Sequence, residues 1–241
     1  MRLSKAGLRV CAITSGEIMS DTEWVIVGSS PTAPKWLEAV RQNTESPQFA
    51  VTNRAHVLFP DDPPDIYFIG GEVTGNIRGR YEQFYAAARD IQKRGSHLVS
   101  LQRRKEEIKE AGLDFMDEYL LVDVGRWGKW KFIPGHYSAC GFSGLFCLQY
   151  AVNHGASIVH CVGMEGYAKE GHYFDAGPDS VYNQTDDVIG PFTQAVIDAC
   201  PGVEFIFYGE LNYPVVGANV RLVSELPVEV ADVMEAPPDD S

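Results

Sequence analysis

The stretch Trp24-Val25-Ile26-Val27-Gly28-Ser29-Ser30-Pro31-Thr32 decides how the rest of the chain is read. Trp24–Gly28 is a short apolar, β-rich run, and the residues after it are turn formers. A helical pattern then runs from Pro34 to Gln42. Proline near a helix start costs nothing there, because the first N–H groups have no partner inside the helix. Strand, turn and helix thus follow one another within twenty residues or so, and the unit recurs along the chain.

Phe49–Asn53 predicts a second strand and Ile66–Ile69 a third, ending in Gly70-Gly71. Tyr81–Lys93 predicts a helix, His97–Leu101 a strand and Arg103–Ala111 a charged helix. Tyr119–Val124 reads as another strand, followed by a Gly- and aromatic-rich loop over Gly125–Cys140. Ser143–His154 has apolar residues at 145, 146, 148, 151 and 152, a helix buried on one face, with Gly155 stopping it. Ile158–Val162 is a strand ending in Gly163, then come a polar loop to Asp186, a helix to Cys200, and Val203–Tyr208 as the last strand. Strands separated by helices predict an α/β, Rossmann-like fold, a mostly parallel sheet with helices on both faces. Ligands of such sheets bind beyond the carboxyl ends of the strands. The division is an N-terminal extension over 1–22, a single α/β nucleotide-binding domain over 23–226, and an acidic flexible tail over 227–241.

Composition agrees with one folded domain: 45% of residues are apolar and 22% charged, enough for a large buried core. The formal net charge of -13 repels phosphate backbones and anionic lipid, so non-specific nucleic-acid binding is not expected. No apolar run approaches the roughly 20 residues that span a bilayer, and Gly7–Ile13 is too short for a signal peptide. Cys11, Cys140, Cys147, Cys161 and Cys200 are odd in number and form no CxxC pair. They read as buried thiols in a reducing, cytoplasmic compartment, without structural zinc.

Several motifs are absent. There is neither GxxxxGK[ST] nor GxGxxG. Gly141-Phe142-Ser143-Gly144 fails as a nucleophile elbow, because Leu145 stands where glycine is needed. Candidate chemistry sits in the loops instead. Gly28, Ser29 and Ser30 precede a helix whose N–H groups and dipole could hold a phosphate, or Ser30 or Thr32 could simply cap it. Ser143 and Gly144 start the most apolar helix, where the hydroxyl could cap the helix or meet a ligand. Glu165, Tyr167, His172, Tyr173 and Asp175 crowd the loop after a buried strand, and His172 suits a general base. His154, His160 and His97 read as a helix-end, a core-strand and a structural residue. Arg126, Trp127, Lys129 and Trp130 alternate cations with indoles, fit to stack on a sugar or base and grip an anion, or to form a lid or a partner-binding surface.

These pieces, in this order, resemble the bacterial sialyltransferases of the Campylobacter lipooligosaccharide type and, more distantly, the 6-hydroxymethylpterin pyrophosphokinases. Val25–Thr32 resembles the opening "G-N-G-P-S" strand and turn, and Phe49–Asn53 the second strand with its nucleotide-contacting Asn. Phe142–Ala156 resembles the "T-S-G…A…A…G" helix, Ile158–Tyr167 the "I-Y-L-x-G-I-D-F-Y" strand, and His172–Asp175 the "Y-A-F-D" segment. The likeness covers residues 23–215, with specificity in 142–175. It implies a GT-A-like variant of the fold and a cytidine-nucleotide pocket lined by Gly28, Ser29, Ser30, Asn53, Ser143 and Gly144. Tyr167 and Tyr173 would face the leaving phosphate. The chain departs from the pattern at Ser29 and Glu165. Where the family carries its catalytic histidine, this chain has Tyr182, Asn183, Asp186 and Asp187, so His172 would have to substitute.

The expectation is a glycosyltransferase-like enzyme moving a sugar from a nucleotide sugar, a CMP-sugar by resemblance, to an acceptor hydroxyl. His172, or failing that Asp175 or Glu165, would be the base. The nucleotide sugar is a co-substrate, and no cofactor or metal is expected. The alternative of ATP-dependent pyrophosphoryl transfer would need magnesium on Asp175, Asp179, Asp186 and Asp187. A third reading is an inactive nucleotide-binding or interaction protein. The acceptor and the oligomeric state stay open, a homo-oligomer included.

Overall fold

A computed structural model of the chain describes residues 22–69, 87–102, 105–110, 116–123, 131–138, 140, 142–166 and 189–225. The expected N-terminal extension before 22 and the acidic tail lie outside the described residues. An eight-stranded sheet is built from β1 (Glu23–Val27), β2 (Gln48–Thr52), β3 (Ile66–Ile69), β4 (His97–Leu101), β5 (Glu118–Leu120), β8 (Ile158–Val162), β9 (Glu204–Tyr208) and β10 (Val220–Val223). Their order across the sheet is β10-β9-β8-β1-β2-β3-β4-β5. Every pairing is parallel. This is the expected Rossmann-like α/β sheet. The chain leaves β1 on one side toward β5, then returns to place β8 on the other side of β1. The order therefore reverses between β1 and β8, the place where such folds open a crevice.

Successive residues of a strand face opposite sides, so the sheet feeds two cores. Ile26, Ala50, Phe68 and Val99 pack with helices α4 (Ser143–Asn153) and α5 (Ile189–Ala199). Phe68 stacks on Phe146 at 5.3 Å between ring centroids. Val25, Val51, Tyr67 and Leu98 pack under α1 (Ala33–Asn43) and the helix α2, described over 87–93. The short α3 (Lys105–Glu110) leads toward β5. Both faces are covered, which is why most strands are near-continuous apolar runs.

Three expectations change. Tyr119–Val124 is not one strand: β5 ends at Leu120, Leu121 turns outward at 75% exposure, and β6 (Val122–Asp123) pairs with β7 (Tyr137–Ser138) in a separate ribbon. The expected loop over 125–140 thus contains a strand. Gln149, on the helix expected to be buried on one face, is itself buried and holds that ribbon. Its Oε1 accepts from Ser138 N–H at 2.6 Å and its Nε2 donates to Ser138 O at 3.1 Å. The sheet also continues past Tyr208 into β10, a four-residue edge strand whose middle residues, Arg221 and Leu222, are exposed.

Cys140, Cys147, Cys161 and Cys200 are buried, as expected, and burial pushes the Cys161 thiol well above its ordinary value. A hydrogen-bonded row crosses the α1 face of the sheet. His160 on β8 meets Glu23 Oε1 through Nε2 at 2.6 Å and the Tyr208 hydroxyl through Nδ1 at 2.8 Å. The core-strand reading of His160 holds. His154 closes α4 and stacks on Tyr150 at 3.8 Å, and His97 meets Glu118 at 3.2 Å.

Candidate functional site

The carboxyl ends of β1 and β8 meet through two glycines. Gly28 N–H donates to Val162 O at 2.8 Å, extending the pairing one residue past the strand. A Cβ built on Gly28 would lie 2.2 Å from Gly163 O, and one on Gly163 would lie 2.7 Å from Gly28 O. Gly163 also has φ +68, a conformation that favours glycine. The glycines at the ends of these two strands are thus there for close backbone approach.

Met164 joins the second expected element to this seam. Its side chain lies 3.4 Å from the Cβ position of Gly28 and 3.3 Å from that of Gly144. The loops 28–30, 143–144 and 163–165, far apart in sequence, therefore converge on one buried methionine, whose backbone O accepts from the Tyr213 hydroxyl at 2.6 Å. Ser29 and Ser30, which follow Gly28, are also buried. Asn53 begins the 3-10 turn (Asn53–Leu58) after β2, the strand next to β1, so its backbone stands on the same edge.

Neither N-cap residue, Thr32 of α1 or Phe142 of α4, makes a side-chain cap bond. Thr32 occupies the N-cap of α1 in an αR conformation without a side-chain cap bond. Its N–H donates to Ser30 Oγ at 3.3 Å, and its hydroxyl donates to Glu165 Oε1. Ser143 is the first helical residue of α4, and the N-cap is Phe142, again without a side-chain bond. Glu165 is 6% exposed. Its backbone O accepts from Asn212 N–H at 2.7 Å. Burial pushes its carboxyl above the usual carboxylate range, opposed by hydrogen bonding from Ser30 and by the charge of Lys35. A residue read from sequence as a reserve base thus lies inward, tying the β8 loop to the β1 loop.

Tyr167, His172, Tyr173, Asp175, Arg126, Trp127, Lys129 and Trp130 lie outside the described residues, as do Asp179, Asp186 and Asp187. Among the described residues no group of His, Cys, Asp or Glu is placed to hold a metal ion, and no helix is long and apolar enough to cross a membrane. A groove of about 420 Å³ lined by Arg41, Phe49, Phe59 and Asp61 opens at the start of β2, the opposite edge of the sheet from the candidate loops. Sequence reasoning missed the Thr32–Glu165 tie, the hub role of Met164 and the approach of Gly209. A Cβ on Gly209 would lie 2.7 Å from Glu165 Oε1 and 3.2 Å from Trp36 Nε1. The one usable signal was a glycine directly after an apolar strand, at 28, 163 and 209 as well as at 70. Set against known proteins, the chain matches no family model, no curated protein and no solved structure.

Proposed function

We propose that the β1/β8 seam binds a nucleotide and that the protein is a nucleotide-dependent transferase, glycosyltransferase-like, on a GT-A-like variant of the fold. The observation that carries this reading is the convergence of 28–30 and 143–144 on Met164 at the reversal of strand order. That place combines glycines that admit a close ligand, small hydroxyls, and the start of a helix. Glu165 is turned toward Thr32, so the base is assigned to His172. Asp175 is the reserve, and Tyr167 and Tyr173 attend the departing nucleotide. The Arg126–Trp130 segment would close over donor or acceptor. Buried thiols fit a cytoplasmic location.

The test is a thermal-shift series with CMP, CDP, UDP, GDP, ATP and CMP-sialic acid. A nucleotide at 100 times its Kd is expected to add about 2.7 kcal/mol of stability, a rise in Tm of several degrees. Flat melting curves with all six at millimolar concentration overturn the reading. A response to ATP alone, lost with EDTA, would move it to pyrophosphoryl transfer.

A further inference from the structure

The first turn of α1 already holds an anion of the protein's own. Thr32, at the N-cap of this 11-residue helix, donates its hydroxyl to Glu165. Carboxylates and phosphates are stabilised at a helix start for the same reason, the partial positive charge of the aligned peptide dipoles. The first turn has little else to give a second anion. Ala33 N–H donates to Ser30 O at 3.0 Å, Trp36 N–H donates to Thr32 O at 3.4 Å, and Pro34 has no N–H.

The carboxylate is also incompletely satisfied. Glu165 is more than nine-tenths buried, yet its Oε2 has no hydrogen-bond partner among the described residues. The Trp36 indole N–H, close to the same Cβ position of Gly209, has none either. A buried carboxylate with a bare oxygen favours taking up a proton or gaining a donor. Among the described residues, the charged and titratable groups around it are few. Lys35 on α1 favours the charged form. Tyr208 at the end of β9, packed on Trp36, is pushed up to about 12 by burial, and Tyr213 beyond it is hydrogen-bonded to Met164 O.

We propose that Glu165 gates the β1/β8 seam: as a carboxylate it occupies the start of α1 and repels a ligand phosphate, and once protonated it admits one. The proposal rests on the nucleotide reading of the same site. Anion binding then carries the uptake of one proton from solvent onto Glu165. Affinity therefore rises as pH falls through the raised titration of this group.

Calorimetric titration of the full chain with sulfate, which keeps its charge between pH 5 and 8, and with CMP tests this. The wild type is expected to gain about 10-fold in sulfate affinity as the pH is lowered from 8 until the affinity levels off. Glu165→Gln is expected to bind sulfate at pH 8 as tightly as the wild type does at that low-pH plateau, with no pH dependence. The titration of CMP's own phosphate is common to both proteins and cancels in their ratio. Thr32→Val, which removes the donor holding the carboxylate, is expected to move the pH midpoint upward, and it serves if Glu165→Gln melts below the assay temperature. If Glu165→Gln binds CMP no better than the wild type at pH 8, the gate is overturned while the nucleotide site stands. If neither sulfate nor CMP binds any of the three proteins, the site and the gate fall together.

Discussion

Replacing Gly28 with alanine is expected to destabilise the fold by about 3 kcal/mol or more. A Cβ at that position would stand 2.2 Å from Gly163 O, a backbone atom of the neighbouring strand end that no rotamer change can move. β1 and β8 would have to part by roughly 1 Å in a close-packed interior, breaking the bond from Gly28 N–H to Val162 O. An opposing effect exists, since alanine loses less backbone entropy on folding, but it is worth only about 0.4–1 kcal/mol. The steric term wins. Gly202→Ala is the control, because a Cβ there meets nothing within 4 Å, and it is expected to be neutral or mildly stabilising. Urea unfolding of the two variants side by side settles the point. A Gly28→Ala protein within about 1 kcal/mol of wild type would mean the two strand ends do not touch in this way.

The second large effect is expected at His160. His160→Leu keeps an apolar side chain of comparable size between β1 and β9 but strands the Tyr208 hydroxyl, and an unsatisfied buried group costs about 1–3 kcal/mol. Glu23, with a side chain 25% exposed, can turn to water and adds less. A loss near 2–3 kcal/mol at pH 8 follows. Tyr208→Phe in the His160→Leu background is expected to cost less than the same change in the wild type, because the orphan hydroxyl goes with it.

The pH dependence has a definite sign. Burial holds the His160 imidazole below its ordinary value despite the pull of Glu23. Between that lowered pKa and the ordinary one of about 6.5, the unfolded chain binds a proton that the folded chain does not. Stability therefore declines as pH falls below about 6.5, and the wild type's advantage over His160→Leu shrinks on acidification. If that advantage grows instead, the imidazole is charged in the fold.

Much of the architecture was legible in the residues. Ile66–Ile69, His97–Leu101 and Ile158–Val162 are strands with the bounds their apolar runs suggest. The loops at Gly28, Ser143 and Gly163 gather at one edge because parallel strands all end there. What escaped has physical reasons. The edge strand β10 is only four residues long and exposes its middle two, Arg221 and Leu222, so neither an alternating pattern nor a long apolar run marks it. The β6/β7 ribbon depends on Gln149, a polar residue in the middle of an apolar helix, whose partner is set by tertiary packing. Glu165 was read as facing a ligand. Its inward turn is decided by a hydroxyl 133 positions earlier in the chain, and no local pattern records such a contact.

The pairing of β1 with β8 carries a consequence for how the molecule comes into being. β1 through β5 meet neighbours close by in the chain, and so do β8, β9 and β10. Among the described strands, only the junction of Glu23 with Ile158 closes a long loop. Loop-closure entropy makes such contacts late and slow, and a growing polypeptide emerging from a ribosome has no β8 to offer until well past its midpoint. The Gly28–Gly163 seam therefore joins two locally paired halves of the sheet, and it cannot form before β8 has been made.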